Sequence, residues 1–464
     1  MSPQIATVAY VALILGLFWL DRDRSTPTSF GLWVPTLWLL INASRPVSLW
    51  FSTGQTIASD QYTEGSPLDA AVFGVLLLAA LIVLAGRRQK IASLVRANFP
   101  VVLFLTYCLL STLWSDNSFV AFKRWTKAVG DVAMIAIVLT EAAPVTAIKR
   151  FLTRSGFILL PLSILFIKYY PAIGRSYNPW TWIPMYAGVT TFKNLLGMTC
   201  LVCGLGSVWS FAMAYGNTHA SRRVYHLIAH GVIIAMAVWL FFTADSMTSL
   251  SCFGMGSGMI IMTSQKWMQR RPAMVHLLVA AVVCLPLTAL FVDTGGNMVQ
   301  SLGRDSSLTG RTVIWNAVLQ VDKNPILGTG FESFWTGSRL DRIWEIINEP
   351  GIQEAHNGYL EVYLNLGAVG VALLVVLIVA GYRNAIAVFR QDRDLGRIQL
   401  GYFVAGVVYS LTEAGFRMMS PVWIAFLLTL VVVPGSLVRR PPLAREGPSE
   451  PLPAELPAYH EEYA

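Results

Sequence analysis

Apolar segments long enough to cross a lipid bilayer recur along almost the whole chain, and they constrain its fold more than any other feature. Each runs without interruption for about 15 to 22 residues, as membrane-spanning helices do. Strands of a membrane barrel would instead alternate polar and apolar residues over about ten positions. Hydrophobic residues make up 55% of the chain and charged residues 13%, about half the charged fraction of soluble domains. We therefore predict an all-α, polytopic bundle of membrane-spanning helices.

The length rule gives about 13 spans. Their approximate bounds are 4–20, 29–43, 68–86, 98–114, 127–143, 153–170, 195–215, 225–243, 247–264, 274–292, 361–381, 398–413 and 418–436. These spans divide the chain into a bundle of ten spans (1–292), a long loop (293–360), three final spans (361–436) and a tail (437–464). The tail is rich in Pro and Glu, and we expect it to be disordered and cytoplasmic.

The distribution of positive charge orients these spans in the membrane. Most of the 34 Lys and Arg residues fall on one side of the predicted bundle, although most loops on that side are short. The positive-inside rule makes this side cytoplasmic. An odd number of spans then places the N-terminus and the long loop on the outer face. The net charge of +8 is explained by topology, and it gives no reason to expect a nucleic-acid partner.

The stretch EAHNGYLEVYLNLGAVG, residues 354–370, places a histidine where the long outer loop enters a span. We predict that the other five histidines lie on the cytoplasmic side, near it within a span, or in the tail. His356 is therefore the one histidine predicted on the outer face. Histidine is the side chain best suited to exchange a proton near neutral pH. An interfacial histidine that caps the helix or tolerates lipid headgroups is the alternative interpretation.

Cations in the outer loops run against the positive-inside bias and therefore need another explanation. Arginine presents a planar set of donors that suits phosphate. Arg311 precedes a short amphipathic helix predicted over residues 312–321, with apolar positions at Val313, Ile314, Ala317, Val318 and Val321. The N-terminus of a helix already favours an anion. The alternative is an exposed arginine paired with Asp305 or with a lipid headgroup.

Aromatic residues, Trp315 among them, are interleaved with these cations. Tryptophan and tyrosine anchor proteins at membrane interfaces, and they also stack on sugar rings. The outer face is thus predicted to hold a pocket at the membrane surface with one proton acceptor, several cations and aromatic walls. Such a pocket suits a lipid-anchored ligand with an anionic headgroup, for which a diphosphate is our first choice. No metal-site spacing is evident among the carboxylates.

Four segments of the sequence resemble one family. HNGYLEVYLNLGAVG fits the pattern H-[NSQ]-x9-G-x-x-G of the O-antigen ligase and polysaccharide polymerase superfamily. GRTVIWNAVLQVDKNPILGTGFESF is similar to the family's segment of an arginine, a tryptophan and P-[IL]-x-G-x-G. WSDNSFVAFKRW and GVTTFKNLLG resemble its earlier segments. The whole set is most similar to exopolysaccharide-production polymerases of the rhizobial, succinoglycan type.

This resemblance implies an inverting glycosyltransferase of the C-type, multi-spanning architecture at the periplasmic face of a bacterial inner membrane. The donor would be an undecaprenyl-diphosphate-linked oligosaccharide, and a second such molecule would be the acceptor. Membrane lipid, a chain-length regulator and export proteins are further candidate partners. No cofactor and no metal are implied. The histidine matching His356 would act as base or orient the acceptor, and Arg311 would hold the diphosphate.

Other residues of the outer loops and of the following helix are candidates for supporting roles. Arg175, Lys193, Arg124 and Lys123 are the next candidates for binding the diphosphate. Asn357 is expected to orient the ring of His356 or to cap the helix. Glu361, about one turn along that helix, is expected to be a partner of the histidine.

The sequence leaves the acceptor open. A polymerase transfers the glycan to another lipid-linked repeat unit, whereas an O-antigen ligase transfers it to lipid A core. We expect a polymerase. A transporter of lipid-linked sugars would more often show charges at the bilayer midplane, broken helices and repeated halves. A non-catalytic assembly partner is a further alternative.

Overall fold

A computed structural model describes residues 1–23, 26–51, 65–177, 184–218, 222–291, 308–321, 323–348 and 351–432 of the protein. Almost all of its regular structure is helical. The helices are α1 (Pro3–Leu20), α2 (Trp33–Asn42), α3 (Val47–Phe51), α4 (Pro67–Ala85), α5 (Arg88–Ala97), α6 (Phe99–Ser111), α7 (Ser118–Leu139), α8 (Pro144–Tyr169), α9 (Pro171–Gly174), α10 (Lys193–Gly216), α11 (Arg223–Thr243), α12 (Met247–Ser264), α13 (Lys266–Gln269), α14 (Pro272–Phe291), α15 (Leu308–Gln320), α16 (Gly337–Ile347), α17 (Gly358–Gln391), α18 (Arg393–Tyr409) and α19 (Pro421–Leu430). Short 3-10 segments cover Phe30–Leu32 and Thr112–Trp114. Strands β1 (Arg175–Tyr177) and β2 (Pro184–Tyr186) form one antiparallel hairpin.

Each of the thirteen predicted spans overlaps one of these helices. Among the described residues, six helices are long and apolar enough to cross a membrane by themselves, namely α1, α4, α8, α10, α11 and α17. Four shorter apolar segments lie at Phe30–Asn42, Phe99–Trp114, Ala273–Thr288 and Pro421–Leu430. The predicted class, a polytopic bundle of membrane helices, is therefore confirmed. The count of thirteen, the sidedness and the four-part division of the chain stay predictions.

Helix α10 lies in the centre of the bundle. It packs against α8, α11, α12, α18 and α19, and 83% of its most apolar window is buried within the protein. Helix α1 is peripheral, with 11% of its window buried. Its exposed apolar side chains, such as Val8 and Leu15, suit contact with lipid rather than with water.

Two boundaries differ from the sequence prediction. Helix α7 begins at Ser118, whereas the span was predicted from residue 127, because Asn117 caps the helix by accepting the N–H of Val120 at 3.1 Å. Lys123 therefore lies on a helix and not in a loop. In the long loop, α15 spans Leu308–Gln320, so Arg311 is its fourth residue rather than its N-terminus.

The apolar stripe of α15 also differs at one position. Ile314, Ala317 and Val318 are buried as predicted, but Val313 is exposed. The predicted long loop contains a second helix, α16. The first part of that loop, residues 293–307, lies outside the described residues. The predicted disordered tail, 437–464, lies outside them as well.

A glycine divides α17 into a short and a long part. Gly367 has φ +64° and ψ −164°, a conformation that is open essentially to glycine alone. Its Cα faces the backbone of segment 325–330, and a Cβ here would lie 2.2 Å from the carbonyl oxygen of Ile326. Two N–H groups of that segment bond carbonyls that precede the kink, Thr329 to Leu364 at 3.2 Å and Gly330 to Asn365 at 2.9 Å.

The kink therefore explains why two glycine-containing motifs occur in this sequence. The PILGTG segment supplies the hydrogen bonds that a continuous helix would otherwise have made. Because the two segments satisfy each other's backbone hydrogen bonds, the long loop is fixed to the first part of α17, the helix that follows residue 356.

Candidate active site

His356 lies in a loop whose backbone is held at the preceding residue, Ala355, by two side chains. Trp315 Nε1 donates to the carbonyl of Ala355 at 2.8 Å, and the backbone N–H of Ala355 donates to the carboxylate of Glu361. His356 itself has φ +49°, which is uncommon for a residue with a side chain. The two bonds to Ala355 hold the backbone in this conformation and so fix the direction of the imidazole.

Asn357 is the N-cap of α17. Its Oδ1 accepts the N–H groups of Tyr359 at 3.0 Å and Leu360 at 2.9 Å. Its Nδ2 donates to the carbonyl of Leu411 at 3.0 Å, which fastens the cap to the turn between α18 and α19. The predicted capping role of Asn357 thus agrees with the structure.

The imidazole of His356 contacts two carboxylates through one nitrogen. Nδ1 lies 3.1 Å from Glu354 Oε1 and 3.2 Å from Glu413 Oε2. Ionised carboxylates only accept hydrogen bonds, so Nδ1 carries a proton. Burial acts to lower the pKa of His356, but hydrogen bonds and negative charge from Glu354 and Glu413 outweigh burial and raise that pKa to about 10. At neutral pH the ring is therefore an imidazolium.

The pKa of Glu354 moves in the opposite direction. Burial acts to raise it, but the hydrogen bond and charge of His356, and the charges of Arg417 and Arg311, outweigh that effect and lower the pKa. Glu354 is thus ionised at neutral pH, and a network of fixed charges surrounds the histidine.

Glu413, in the turn between α18 and α19, joins three segments of the chain. Its Oε1 accepts Arg311 Nη2 of α15 at 2.8 Å. Its Oε2 accepts Asn194 Nδ2, near the start of α10, at 3.2 Å, and it also contacts His356. The side chain is only 9% exposed. One buried carboxylate thus brings together the arginine and the histidine that the sequence analysis selected.

Two comparisons with known proteins bear on this arrangement. The family model described as O-Antigen ligase matches residues 231–375, a stretch that includes both Arg311 and His356. The exopolysaccharide production protein ExoQ of Rhizobium meliloti (strain 1021) is 25% identical over 305 residues, which cover 63% of this chain and 66% of ExoQ. Both comparisons support a relationship of this chain to the O-antigen ligase and polysaccharide polymerase family. The match spans slightly less than two thirds of ExoQ's own length.

The network of charges continues beyond the part that matches the family model. Arg417, in the same turn as Glu413, has Nε 3.3 Å from Glu332 Oε2 and Nη1 3.9 Å from Glu354 Oε2. Arg124 donates to the backbone carbonyl of Glu332. Positive and negative groups therefore alternate in one row, which runs Arg311, Glu413, His356, Glu354, Arg417, Glu332.

The other predicted diphosphate ligands have separate contacts. Arg175 donates from Nε to the carbonyl of Ile167 at 2.9 Å and stacks 5.7 Å from the Tyr186 ring. Lys123 lies 4.8 Å over the Phe119 ring. These contacts tie Arg175 to α8 and to its own hairpin, and they tie Lys123 to its own helix.

Lys193 comes nearer to the site through its neighbour. It pairs with Asp245 at 3.9 Å, and Asn194, the next residue, contacts Glu413. Its role as a diphosphate ligand stays a prediction, as do the roles of Arg175, Arg124 and Lys123.

Glu361, the expected partner of His356, acts on the backbone next to the histidine. Its carboxylate accepts Trp335 Nε1 at 2.9 Å and the N–H of Ala355, so it supports the residue before His356 and not the ring. Trp315 supports the same residue from the other side. Because Glu361 is buried within α17, its side chain reaches inward to the loop backbone rather than outward along the helix surface.

Sequence reasoning did not select Glu413 or Arg417. Both lie in LTEAGFR, a short turn between two apolar helices. Two opposite charges four residues apart in such a turn are the sequence signal from which these residues could have been predicted. Charges next to a membrane span are costly unless they are functional or paired. Their partners are far away in sequence and could not have been assigned.

Three groups are close enough to hold a divalent metal. One ligand atom each from Glu354, His356 and Glu413 lies within 4.8 Å of the others. Arg311 and Arg417 already pair with these carboxylates, so the protein supplies the positive charge that a metal would bring. We assign no metal to this cluster.

An apolar cavity that is partly open to solvent lies among α6, α7, α17 and α19. Phe104, Val132, Leu377 and Trp423 form part of its wall, and Glu332 and Glu361 are also among its lining residues. These two carboxylates connect the cavity with Arg417 and with the loop that carries His356. The site thus combines a polar cluster with an adjoining apolar space.

Proposed function

We propose that this protein is a glycosyltransferase that polymerises undecaprenyl-diphosphate-linked repeat units into exopolysaccharide at the periplasmic face of the inner membrane. One observation carries the proposal. Glu413 holds Arg311 at 2.8 Å and His356 at 3.2 Å, so a phosphate-binding type of side chain and a proton-carrying one share a single buried partner.

The chemistry of the reaction fits this cluster. The acceptor hydroxyl attacks the anomeric carbon of the donor glycan, and the bond from that carbon to the lipid diphosphate breaks. Single displacement of this kind inverts the anomeric centre. The diphosphate leaves with its negative charge, and preorganised cations lower the barrier by stabilising that charge. Arg311, on the first turn of α15, and the imidazolium of His356 are the cations placed to do so.

The apolar cavity supports a lipid-linked substrate. Its wall is formed by helices of the predicted membrane region, and an isoprenoid segment entering there would bury apolar surface. The polar headgroup would then lie toward Arg417 and the His356 loop.

The choice of acceptor rests on the relatives. ExoQ carries a name that refers to exopolysaccharide production, and this favours a polymerase whose acceptor is another lipid-linked repeat unit. The description of the family model, O-Antigen ligase, favours the second candidate, transfer of the finished glycan to lipid A core. Both candidates use the same donor and the same displacement.

Sizing of lipid-linked glycans tests the proposal. The glycans would be extracted from a strain that lacks the protein and from the strain complemented with wild type, His356→Ala, Arg311→Ala or Glu345→Gln, at matched expression. Glu345 is exposed on α16 and serves as the control. For a polymerase, the deletion, His356→Ala and Arg311→Ala strains retain single repeat units on the carrier, whereas wild type and Glu345→Gln make polymer.

Two results would contradict the proposal. Long chains that accumulate on the carrier and do not reach the surface acceptor would identify a ligase. Normal polymer from His356→Ala at wild-type expression would remove His356 from the reaction in either case.

A further inference from the structure

Both carboxylates beside His356 contact Nδ1, which leaves Nε2 as the ring nitrogen that could act as a base. A base needs a lone pair, and Nδ1 has none to offer because it carries a proton that it donates to Glu354 and Glu413. Nε2 would have to be unprotonated. With the pKa of the ring raised to about 10, only about one ring in a thousand has that lone pair at pH 7. A bound diphosphate would add negative charge nearby and favour the imidazolium further.

We propose that the carboxylate of Glu354 accepts the proton of the acceptor hydroxyl and that His356 acts as a fixed imidazolium. This inference rests on the proposed transferase function. It assigns His356 a donor role, in which Nε2–H binds a phosphate or sugar oxygen, and it gives the base to the residue two positions earlier.

The two neighbouring carboxylates differ in a way that selects Glu354. Both oxygens of Glu413 accept hydrogen bonds, Oε1 from Arg311 and Oε2 from Asn194 and His356. Glu354 uses Oε1 toward His356, while the ion-pair partner recorded for its Oε2 within the described residues is Arg417 Nη1 at 3.9 Å. That distance is beyond a hydrogen bond.

Exposure points to the same residue. The side chain of Glu354 is 24% exposed, against 9% for Glu413. Glu354 is therefore the more accessible of the two carboxylates to an acceptor hydroxyl, whereas Glu413 is enclosed by the groups it holds together. Glu413 is accordingly a positioning residue, and Glu354 is the candidate for direct contact with substrate.

The proposed step balances without a further reactant. The acceptor oxygen forms a bond to the anomeric carbon, and the bond from that carbon to the diphosphate oxygen breaks. The electron pair of the broken bond leaves with the diphosphate. The hydroxyl proton passes to Glu354 Oε2. A carboxylate is the base in inverting glycoside hydrolysis as well, where it activates the attacking water.

The charged groups around Glu354 determine how the reaction rate depends on pH. His356, Arg417 and Arg311 face it with positive charge, and Glu413 and Tyr409 face the same cluster. Glu354 is ionised and His356 is protonated throughout the neutral range, so the rate is expected to be flat between pH 6 and pH 9. A histidine base with most rings protonated would instead give a rate that rises about tenfold per pH unit.

The experiment measures polymer formation by purified full-length protein on lipid-linked repeat units from pH 6 to pH 9. Wild type, Glu354→Gln, Glu354→Asp, Glu354→Ala and the control Glu345→Gln would be compared, with thermal unfolding midpoints for each. We expect Glu354→Gln to lose 100-fold or more in kcat at every pH, which is the usual effect of losing a general base. We expect formate, a small carboxylate, to restore part of the activity of Glu354→Ala.

Each outcome has a defined meaning. A wild-type rate that rises tenfold per pH unit overturns the proposal, whatever the variants do. A Glu354→Gln profile that recovers wild-type activity at high pH, or that shifts to lower pH, makes His356 the base, because removing one carboxylate lowers the pKa of the histidine. A wild type that makes no polymer from lipid-linked units contradicts the proposed function instead of this inference.

Discussion

Arg311 and Glu413 form an ion pair of 2.8 Å although 102 residues separate them in the chain. The arginine belongs to the long loop, and the glutamate to the turn between the last two helices. This pair and the contact of Glu413 with His356 make the candidate active site dependent on the packing of α18 and α19 against α10 and α17.

Replacement of Glu413 is therefore expected to affect both stability and activity. Glu413→Ala leaves Arg311 and the imidazolium without their shared anion, and breaking a buried ion pair costs about 3–5 kcal/mol. Glu413→Gln keeps the size and the bond to Arg311 but removes the charge. We expect at least a tenfold loss of polymer formation for both variants, and a lower thermal midpoint for alanine than for glutamine. Wild-type activity of Glu413→Gln would contradict the assigned positioning role.

The kink at Gly367 gives a second prediction. Gly367→Ala places a Cβ 2.2 Å from the carbonyl oxygen of Ile326 at a φ of +64°. The PILGTG segment must then move, and the hydrogen bonds between the long loop and the first part of α17 are lost. We expect a large loss of folded protein, measured by size-exclusion chromatography in detergent.

Gly258→Ala in α12 is the matched control, because nothing lies within 4 Å of the added Cβ and alanine favours a helix over glycine. Equal yields of the two variants would show that the kink is dispensable.

The protonated state of His356 predicts a pH dependence of stability. Its pKa is raised from 6.5 to about 10, so between these values the folded protein binds a proton that the unfolded chain releases. The resulting stabilisation is complete below pH 6.5 and is lost as pH rises through 10. Thermal midpoints of wild type and His356→Gln should therefore differ more at pH 7 than at pH 9.5. A difference that grows with pH would show that the ring is neutral when folded.

Removal of metal provides a fourth prediction. Because Arg311 and Arg417 already neutralise the carboxylates around His356, activity of the purified protein is expected to survive dialysis against EDTA. A loss of activity that Mg²⁺ or Mn²⁺ restores would assign a metal to Glu354, His356 and Glu413. The control is a sample treated with EDTA already saturated with Ca²⁺.

The helices and the motif residues could be predicted because their determinants are local. Transfer of about 20 apolar residues into lipid is favourable regardless of the neighbouring helices, so every predicted span overlaps a helix. Asn357 caps α17 through its own next two residues. The start of α7 was misplaced for a local reason as well, since charged residues near the membrane surface resemble a loop in composition although Asn117 begins a helix there.

The charge network could not be predicted because its members meet only when distant segments pack. The sequence by itself determined a membrane-helical bundle and selected His356 and Arg311 as site residues. Only the tertiary structure decided that Glu413 joins them and that Arg417 extends the row. It also decided that Arg175 is held by α8 and its own hairpin, and that Glu361 supports the backbone instead of the ring. Whether an apolar segment forms a membrane helix depends on its own residues, whereas an ion pair forms only when the packing of the whole bundle brings two charged groups within a few ångströms.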